Sequence, residues 1–298
     1  MTIPKKWAPL LSRWHDALFC SRTLVAKQGR RTAKAAASPQ AISVAIAHYN
    51  RGHTAHRPLC NLLDNPLVGE VVFFDDGSSS PEFAALVENV RSLDPGGKVR
   101  IERRESNKGA QRTKIDAVAA CRNEWVLVLD SDNTAFCGYL RQLAKIQRKD
   151  PDTIYCSPFA FPYFSFKALA GRSLSFDQCC KLTRSGLLRQ CYIINDGNYL
   201  VHRDRYLLRT KSLQELPSDV ADVMLANYLW LSEGGSLEVL PRGAYHHRID
   251  ASSFWVRTAE ESRTRVRFLF QLLEEGCRWK NLEDFMVCEK SHAGQKRL

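Results

Sequence analysis

The sequence predicts an α/β fold built on a mostly parallel central sheet, and three observations carry that prediction. From Ile42 onward, short apolar runs of strand length alternate with helix-length stretches, the signature of βαβ units. Polar clusters follow those runs, at positions 48–51, 75–78, 107–109 and 130–132. Open sheets of this kind bind ligands at the carboxyl ends of their strands, so one site on one edge is the economical reading. Finally, 44% hydrophobic and 25% charged residues over 298 positions are enough for a real core.

The elements follow in order. Residues 33–40 (AKAAASPQ) read as a linker, with Pro39 ending whatever precedes it. The first strand spans 42–47 (ISVAIA), and a helix over about 55–64 is stopped by Asn65-Pro66. The second strand, 70–74 (EVVFF), runs straight into Asp75-Asp76-Gly77-Ser78. Pro81 suits the first turn of a helix that continues to residue 93. After the turn DPGG at 94–97 comes a third strand over 98–103, and a helix over 110–121 leads to the fourth strand, 125–129 (WVLVL). Beyond Pro151 the character turns aromatic, with Tyr155, Phe159, Phe161, Tyr163, Phe164 and Phe166. Such a run lines a pocket or, more commonly, fills a core. A helix near 219–232, a strand over 236–240 and an amphipathic helix over 260–275, stopped by Gly276, complete the pattern without an internal repeat.

The formal charge of +11 is unevenly placed. Residues 1–40 hold eight Lys or Arg against the single acid Asp16, so they carry +7 and leave +4 for the rest. The body is therefore nearly balanced, and no nucleic-acid partner is expected for it. Leu10, Leu11, Trp14 and Leu18 recur at helical spacing in that basic segment. It reads equally as a peripheral membrane contact or as a helix packed on the body, and its basic, acid-poor composition also suits a transit peptide. None of the ten cysteines forms a CxxC pair, which fits a reduced compartment and a cytoplasmic location. No stretch approaches the roughly 18–20 apolar residues that span a bilayer, and no apolar signal-peptide core is present.

Asp130-Ser131-Asp132 is the sharpest local signal, directly after an apolar strand. Two carboxylates at the mouth of a sheet are costly unless they meet positive charge, and such hard oxygen donors suit Mg²⁺ or Mn²⁺ shared with phosphates. The plain alternative is a strand-end turn with solvated acids. Asp75-Asp76-Gly77-Ser78 closes its strand in the same way, with an Asx-type turn as the plain alternative.

Taken together, AHYNR (47–51), EVVFFDDGSSS (70–80), ESNKGA (105–110) and WVLVLDSDN (125–133) resemble glycosyltransferase family 2, inverting enzymes of GT-A fold. The resemblance covers roughly residues 41–255. It implies a Rossmann-like nucleotide-binding half with a mostly parallel sheet, plus an acceptor-binding half. It divides the chain into a basic extension (1–40), a nucleotide-sugar half (41–135), an acceptor half (136–255) and a C-terminal helical segment (256–298).

On this resemblance Asp76 reads the base, while Tyr49, Asn50, Arg51, Ser78, Asn107, Gly109, Lys114, Asp130 and Ser131 complete the donor site. Asp130 and Asp132 handle ribose and metal, and Mn²⁺ or Mg²⁺ is the implied cofactor. The third segment departs from the family's pattern, with Thr113, Ile115 and Ala117 where Ala, Asn and Gly are usual. Asp222 falls at the catalytic base, with Asp219 earlier on the same helical face; Asp219 or Ser218 also suits a helix cap. His246, His247 and Asp250 compete as a further metal ligand, with His247 ranked first, and Asn198 with Asp219 lies on the acceptor side.

The implied reaction moves a sugar from a nucleotide-diphosphate donor, with UDP favoured, onto a hydroxyl of a glycan or lipid-linked glycan. A non-catalytic nucleotide-sugar-binding protein and a sugar nucleotidyltransferase are the alternatives. The second lacks its Gly-rich, Arg-containing loop after the first strand, because AHYNRGHTAH does not supply one. A basic scaffold is suggested by residues 1–40 alone.

Overall fold

A computed structural model describes residues 41–215, 219–250 and 253–279. The readings placed on residues 1–40, on Ser218 and on the tail beyond 279 lie outside the described residues. Four strands open the chain: β1 (Ile42–His48), β2 (Val68–Asp75), β3 (Val99–Arg103) and β4 (Trp125–Val128). Between them lie α1 (His56–Leu59), α2 (Ser80–Leu93) and α3 (Ala110–Ala119). The middle of the chain holds β5 (Thr134–Ala135), α4 (Cys137–Ala144), β6 (Thr153–Cys156), β7 (Phe159–Phe161), β8 (Phe164–Ser165) and β9 (Arg172–Leu174). Then come α5 (Phe176–Arg184), α6 (Leu188–Cys191), β10 (Tyr199–His202), α7 (Arg203–Arg209) and α8 (Asp222–Ser232). The last elements are β11 (Ser236–Val239), β12 (Tyr245–His246), α9 (Phe254–Arg257) and α10 (Ala259–Glu275).

Eight strands form one sheet in the order β3-β2-β1-β4-β10-β6-β11-β9. β1, β2, β3 and β4 pair in parallel, as do β6 and β11. β10 runs antiparallel between β4 and β6, and β9 is an antiparallel edge on β11. The mostly parallel α/β sheet expected from the sequence is thus present. A second, four-stranded sheet (β5-β12-β7-β8) stands beside it.

Side chains alternate between the two faces of the large sheet, as the period of two requires. Val126 and Val128 face one core with Ile154, Val201 and Leu237, where α3, α5, α8 and α10 pack. Leu127 and Leu129 face the other, with Val44, Phe73 and Leu200, under α1, α2 and α4. Helix α8 is buried from Met224 to Ser232, as its sequence MLANYLWL demands, and the one amide in that run, Asn227, donates to Ile194 O and Asp196 O.

Several boundaries differ from the sequence reading. The helix expected over 55–64 is a 3₁₀ turn at Gly52–Thr54 followed by the single turn α1, and Asn61 takes a left-handed conformation just beyond it. α8 begins at Asp222 because Ala221 is also left-handed, with φ 54°. Gly276, at φ 78°, ends α10 where expected. The aromatic run divides: Tyr155 and Phe166 are buried, whereas Phe164 is exposed.

Candidate active site

The carboxyl ends of β1, β2 and β4 open into one cleft of about 1000 Å³. Its opposite wall is made by the segment leading into β10, the start of α8 and the segment around α9. Tyr49, Asn50, Arg51, Asp76, Asn107 and Gly109 line it, as do Lys114, Asp130, Ser131 and Asp132. Asn198, Asp219, Asp222 and His247 line it as well. Ser78 and His246 do not lie among the lining residues.

The turn after β2 explains Ser78. Its hydroxyl donates to Asp75 and accepts the backbone N–H of Asn50 at 2.8 Å, while Asn50 Oδ1 accepts the N–H of Ser79 at 2.9 Å. Asn50 sits at φ 49°, a conformation its short amide side chain tolerates. Ser78 is therefore a buried splint between two loops. Asp75 is fully buried against His48 Nδ1 at 2.8 Å. Burial pushes its carboxyl up, but the bonds from His48 and Ser78 outweigh that and hold it low. Asp76 accepts backbone N–H groups of Lys108 at 2.9 Å and Gly109 at 3.1 Å, and burial raises its pKa.

Asp219 lies elsewhere than on its own helix. Its carboxylate accepts the N–H groups of Ala110 at 2.6 Å and Gln111 at 3.1 Å, capping α3 from 108 residues or more along the chain. Gly109, at φ 96°, makes room for it, because a Cβ there would stand 2.3 Å from Asp219 Oδ2. The cap expected of this carboxylate is thus made to α3 and not to the helix that follows it.

One turn further along α3, Lys114 reaches across the cleft. Its Nζ is 3.5 Å from Asp222 Oδ2 and 3.8 Å from Asp130 Oδ1. Burial pulls its pKa down, yet the facing Asp222 and Asp130 raise it on balance, so it stays an ammonium. Asp222, at the first position of α8, is pushed up by burial and held back by Lys114. The two carboxylates flank a single cation.

Asp130, Ser131 and Asp132 follow β4. Asn198 fixes the first: its Oδ1 accepts Asp130's N–H at 3.0 Å and its Nδ2 donates to Asp130 Oδ2 at 3.1 Å. Arg51 donates to Asp132. Burial lowers the pKa of Arg51, as do the neighbouring Arg248 and Arg257, against Asp250 and Asp130. Asn133 Oδ1 accepts Arg248's N–H at 2.9 Å, which turns its Nδ2 toward His247 Nδ1 at 3.3 Å. That leaves the proton of a neutral His247 on Nε2, where it is a hydrogen-bond donor; burial lowers its pKa and favours this form. His246, one residue earlier, projects to the opposite face of β12 and lies against Phe161 at 6.3 Å. Asp250 pairs with Arg248 at 2.9 Å. No group of three His, Cys, Asp or Glu able to hold a metal exists among the described residues.

The sequence reading missed Asp196. It lines the cleft, is 4% exposed, and has a pKa raised to about 7, chiefly by burial. Tyr245 donates to its Oδ1 at 2.8 Å, and Oδ2 has no partner. Its place two residues before Asn198 was the available signal. The rings of Phe254 and Trp255 also line the cleft and carried no such signal.

Comparison with known proteins agrees with this architecture. The family model "Glycosyl transferase family 2" matches residues 43–198, just over half of the chain. The succinoglycan biosynthesis protein ExoU of Rhizobium meliloti (strain 1021) is 32% identical over 109 residues, 36% of this chain and 31% of ExoU. Among solved structures, S. aureus TarS 1-349 in complex with UDP is similar with a TM-score of 0.55 at 18% identity, over 78% of this chain and 65% of TarS. The same protein with UDP-GlcNAc gives a TM-score of 0.57 at 17% identity, over 77% and 65%. The matched stretch thus spans about a third of ExoU and just under two thirds of the TarS chains. At such identity the TarS likeness speaks for the fold.

Proposed function

This chain belongs to glycosyl transferase family 2, and from that membership we propose that it transfers a sugar from a nucleoside-diphosphate sugar to a hydroxyl of a glycan or lipid-linked glycan, with inversion and with a divalent metal. The observation that carries the reading is the arrangement around Lys114. Asp222 and Asp130 stand on opposite walls of one cleft with that ammonium between them. UDP is the favoured nucleotide, and the similar TarS structures that hold UDP and UDP-GlcNAc support it.

In this reading residues 41–135 supply the donor wall and 136–255 the acceptor wall. Asp76 contacts the base, and Tyr49, Asn50 and Arg51 close the loop over it. Asp132 and Asp130 would hold Mg²⁺ or Mn²⁺. The two carboxylates supply the hard oxygen donors such ions commonly take, with substrate phosphates and water completing the shell, once Arg51 releases Asp132. When bound, the metal offsets charge that builds on the leaving diphosphate. His247 Nε2–H, Arg51 and Arg248 add donors on the same side. Asp222 takes the proton of the acceptor hydroxyl as its oxygen attacks the anomeric carbon and the bond to the diphosphate breaks. Lys114 keeps that carboxylate ionised. Asn198 and Asp219 serve the site by holding Asp130 and α3 in place.

Calorimetric titration with UDP, GDP, dTDP and CDP, with and without Mn²⁺, tests the donor half. One nucleotide should bind tightly with metal and lose at least about tenfold in affinity in Asp132→Ala. Asp222→Asn should keep nucleotide affinity and lose about 10²–10⁴-fold in turnover. Near-normal turnover in that variant would falsify the base assignment.

A further inference from the structure

Exposed aromatic rings gather in this cleft. Eight large hydrophobic side chains stand exposed among the described residues. Four of them are rings that line this cleft: Tyr49 (43%), Phe164 (38%), Phe254 (39%) and Trp255 (38%). Tyr49 belongs to the donor loop after β1. The other three come from β8 and α9, in the half of the chain that follows the donor elements.

These rings are held in place. Phe164 leans edge-on against His247 at 5.8 Å, which leaves a face to the cleft. α9 is pinned at its start, where Asp250 N–H donates to Ser253 Oγ at 2.9 Å and Ser253 N–H to Asp250 O at 3.1 Å. It is pinned at its end by Thr258 Oγ1, which donates to Phe254 O at 2.9 Å. Neither Phe254 nor Trp255 stacks on another ring or on a cation among the described residues. Exposed aromatic faces gathered in one concavity mark a binding surface more than a core.

The chemistry between the rings indicates the ligand. Arg248 and Arg257 line the same stretch of cleft, so guanidinium donors interrupt the apolar faces. An acyl chain needs an unbroken apolar groove. A pyranose ring instead offers a C–H face to an aromatic side chain and a rim of hydroxyls to polar neighbours. The volume of about 1000 Å³ sits at the upper end of small-ligand sites, room for a donor and for sugars beyond the attacking one.

We propose that Phe164, Phe254 and Trp255 form an acceptor subsite that stacks on pyranose faces, so that the acceptor is an oligosaccharide of two or more sugar units reaching from Asp222 to the cleft mouth. The inference rests on the glycosyltransferase reading and adds the acceptor's class and the residues that hold it.

The test uses the full chain with saturating UDP and Mn²⁺. Linear tetraoses of glucose, galactose and mannose are titrated by calorimetry and by saturation-transfer NMR, with decyl phosphate as the apolar probe. At least one tetraose should bind, with saturation concentrated on its ring C–H protons. Trp255→Ala and Phe164→Ala should each weaken it at least about fivefold, while Trp255→Phe keeps most of the affinity. UDP affinity should stay within about twofold in all three variants, which reports an intact fold. Tetraose affinity unchanged in both alanine variants, or decyl phosphate binding where no tetraose does, overturns the subsite. No binding of any tetraose while UDP binds also overturns it. Failure of the unaltered protein to bind any nucleotide would instead strike the glycosyltransferase reading.

Discussion

Asp196 is a buried carboxylate with no ion pair among the described residues. Its ordinary pKa of 3.8 rises to about 7. The unfolded chain releases this proton near pH 4, and the folded protein holds it until about pH 7. Protonation therefore stabilises the fold below pH 4, and that contribution is lost as pH rises through 7. Three pKa units correspond to about 4 kcal/mol as an upper scale. Asp196→Asn should remove this dependence, so its urea midpoint changes little between pH 5 and 8 while the parent's falls. Equal slopes in the two proteins would sink the assignment. Lys114 presents the opposite case, a buried cation between two carboxylates. Lys114→Met leaves Asp222 without its counter-charge, at a cost expected to appear in turnover. We expect a loss of more than about tenfold in turnover with nucleotide affinity reduced less than threefold, and partial rescue by Lys114→Arg. A collapse of nucleotide affinity would return this lysine to the diphosphate, where the family pattern puts it.

At the scale of elements, α3 owes its N-terminus to another half of the chain. Asp219 accepts its first two N–H groups, and Gly109 leaves the space that carboxylate fills. Asp219→Ala should cost about 1–2 kcal/mol, as lost caps do, with the first turn of α3 gaining hydrogen exchange. Gly109→Ala should cost at least as much, since it combines a strained positive φ with displacement of the cap. Denaturation midpoints check both. The same helix shows what could be read in advance. Asp76, Asp130 and Asp132 were legible because each sits at the end of an apolar strand, and strand ends in such sheets share an edge. The partner of Asp219 was not, because a helix cap is normally sought within its own helix. β10 escaped notice for a related reason: YLVH is too short for a periodicity, and only its neighbours β4 and β6 define it as a strand. His246 and His247 could not be told apart until β12 set which of them faces inward. Phe254 and Trp255 read as ordinary apolar residues, since exposure is a property of the folded surface.

At the scale of the whole molecule, the donor and acceptor walls are one sheet. β4 leads into Asp130 and is hydrogen-bonded on one side to β1 and on the other to β10, and Asn198, just before β10, clasps Asp130. Lys114 adds a second tie from α3 to α8. Two independently melting halves would have to tear this sheet between β4 and β10, exposing both faces of a core that alternates through every strand. The two walls should therefore unfold together. A ligand held on the donor wall should then stabilise the acceptor wall by the same amount. At one hundred times its dissociation constant, UDP with Mn²⁺ should raise the unfolding free energy by about 2.7 kcal/mol. The increase should be equal for a probe in α3 and for a probe in α8. Intrinsic fluorescence of Trp230, isolated by replacing the other tryptophans, reports the second, and hydrogen exchange of α3 reports the first. Coincident transitions that shift together are expected. Separate transitions, with only α3 responding to nucleotide, would show that the halves are coupled by contact and not by a shared core, and the acceptor wall would then have to be ordered by its own substrate.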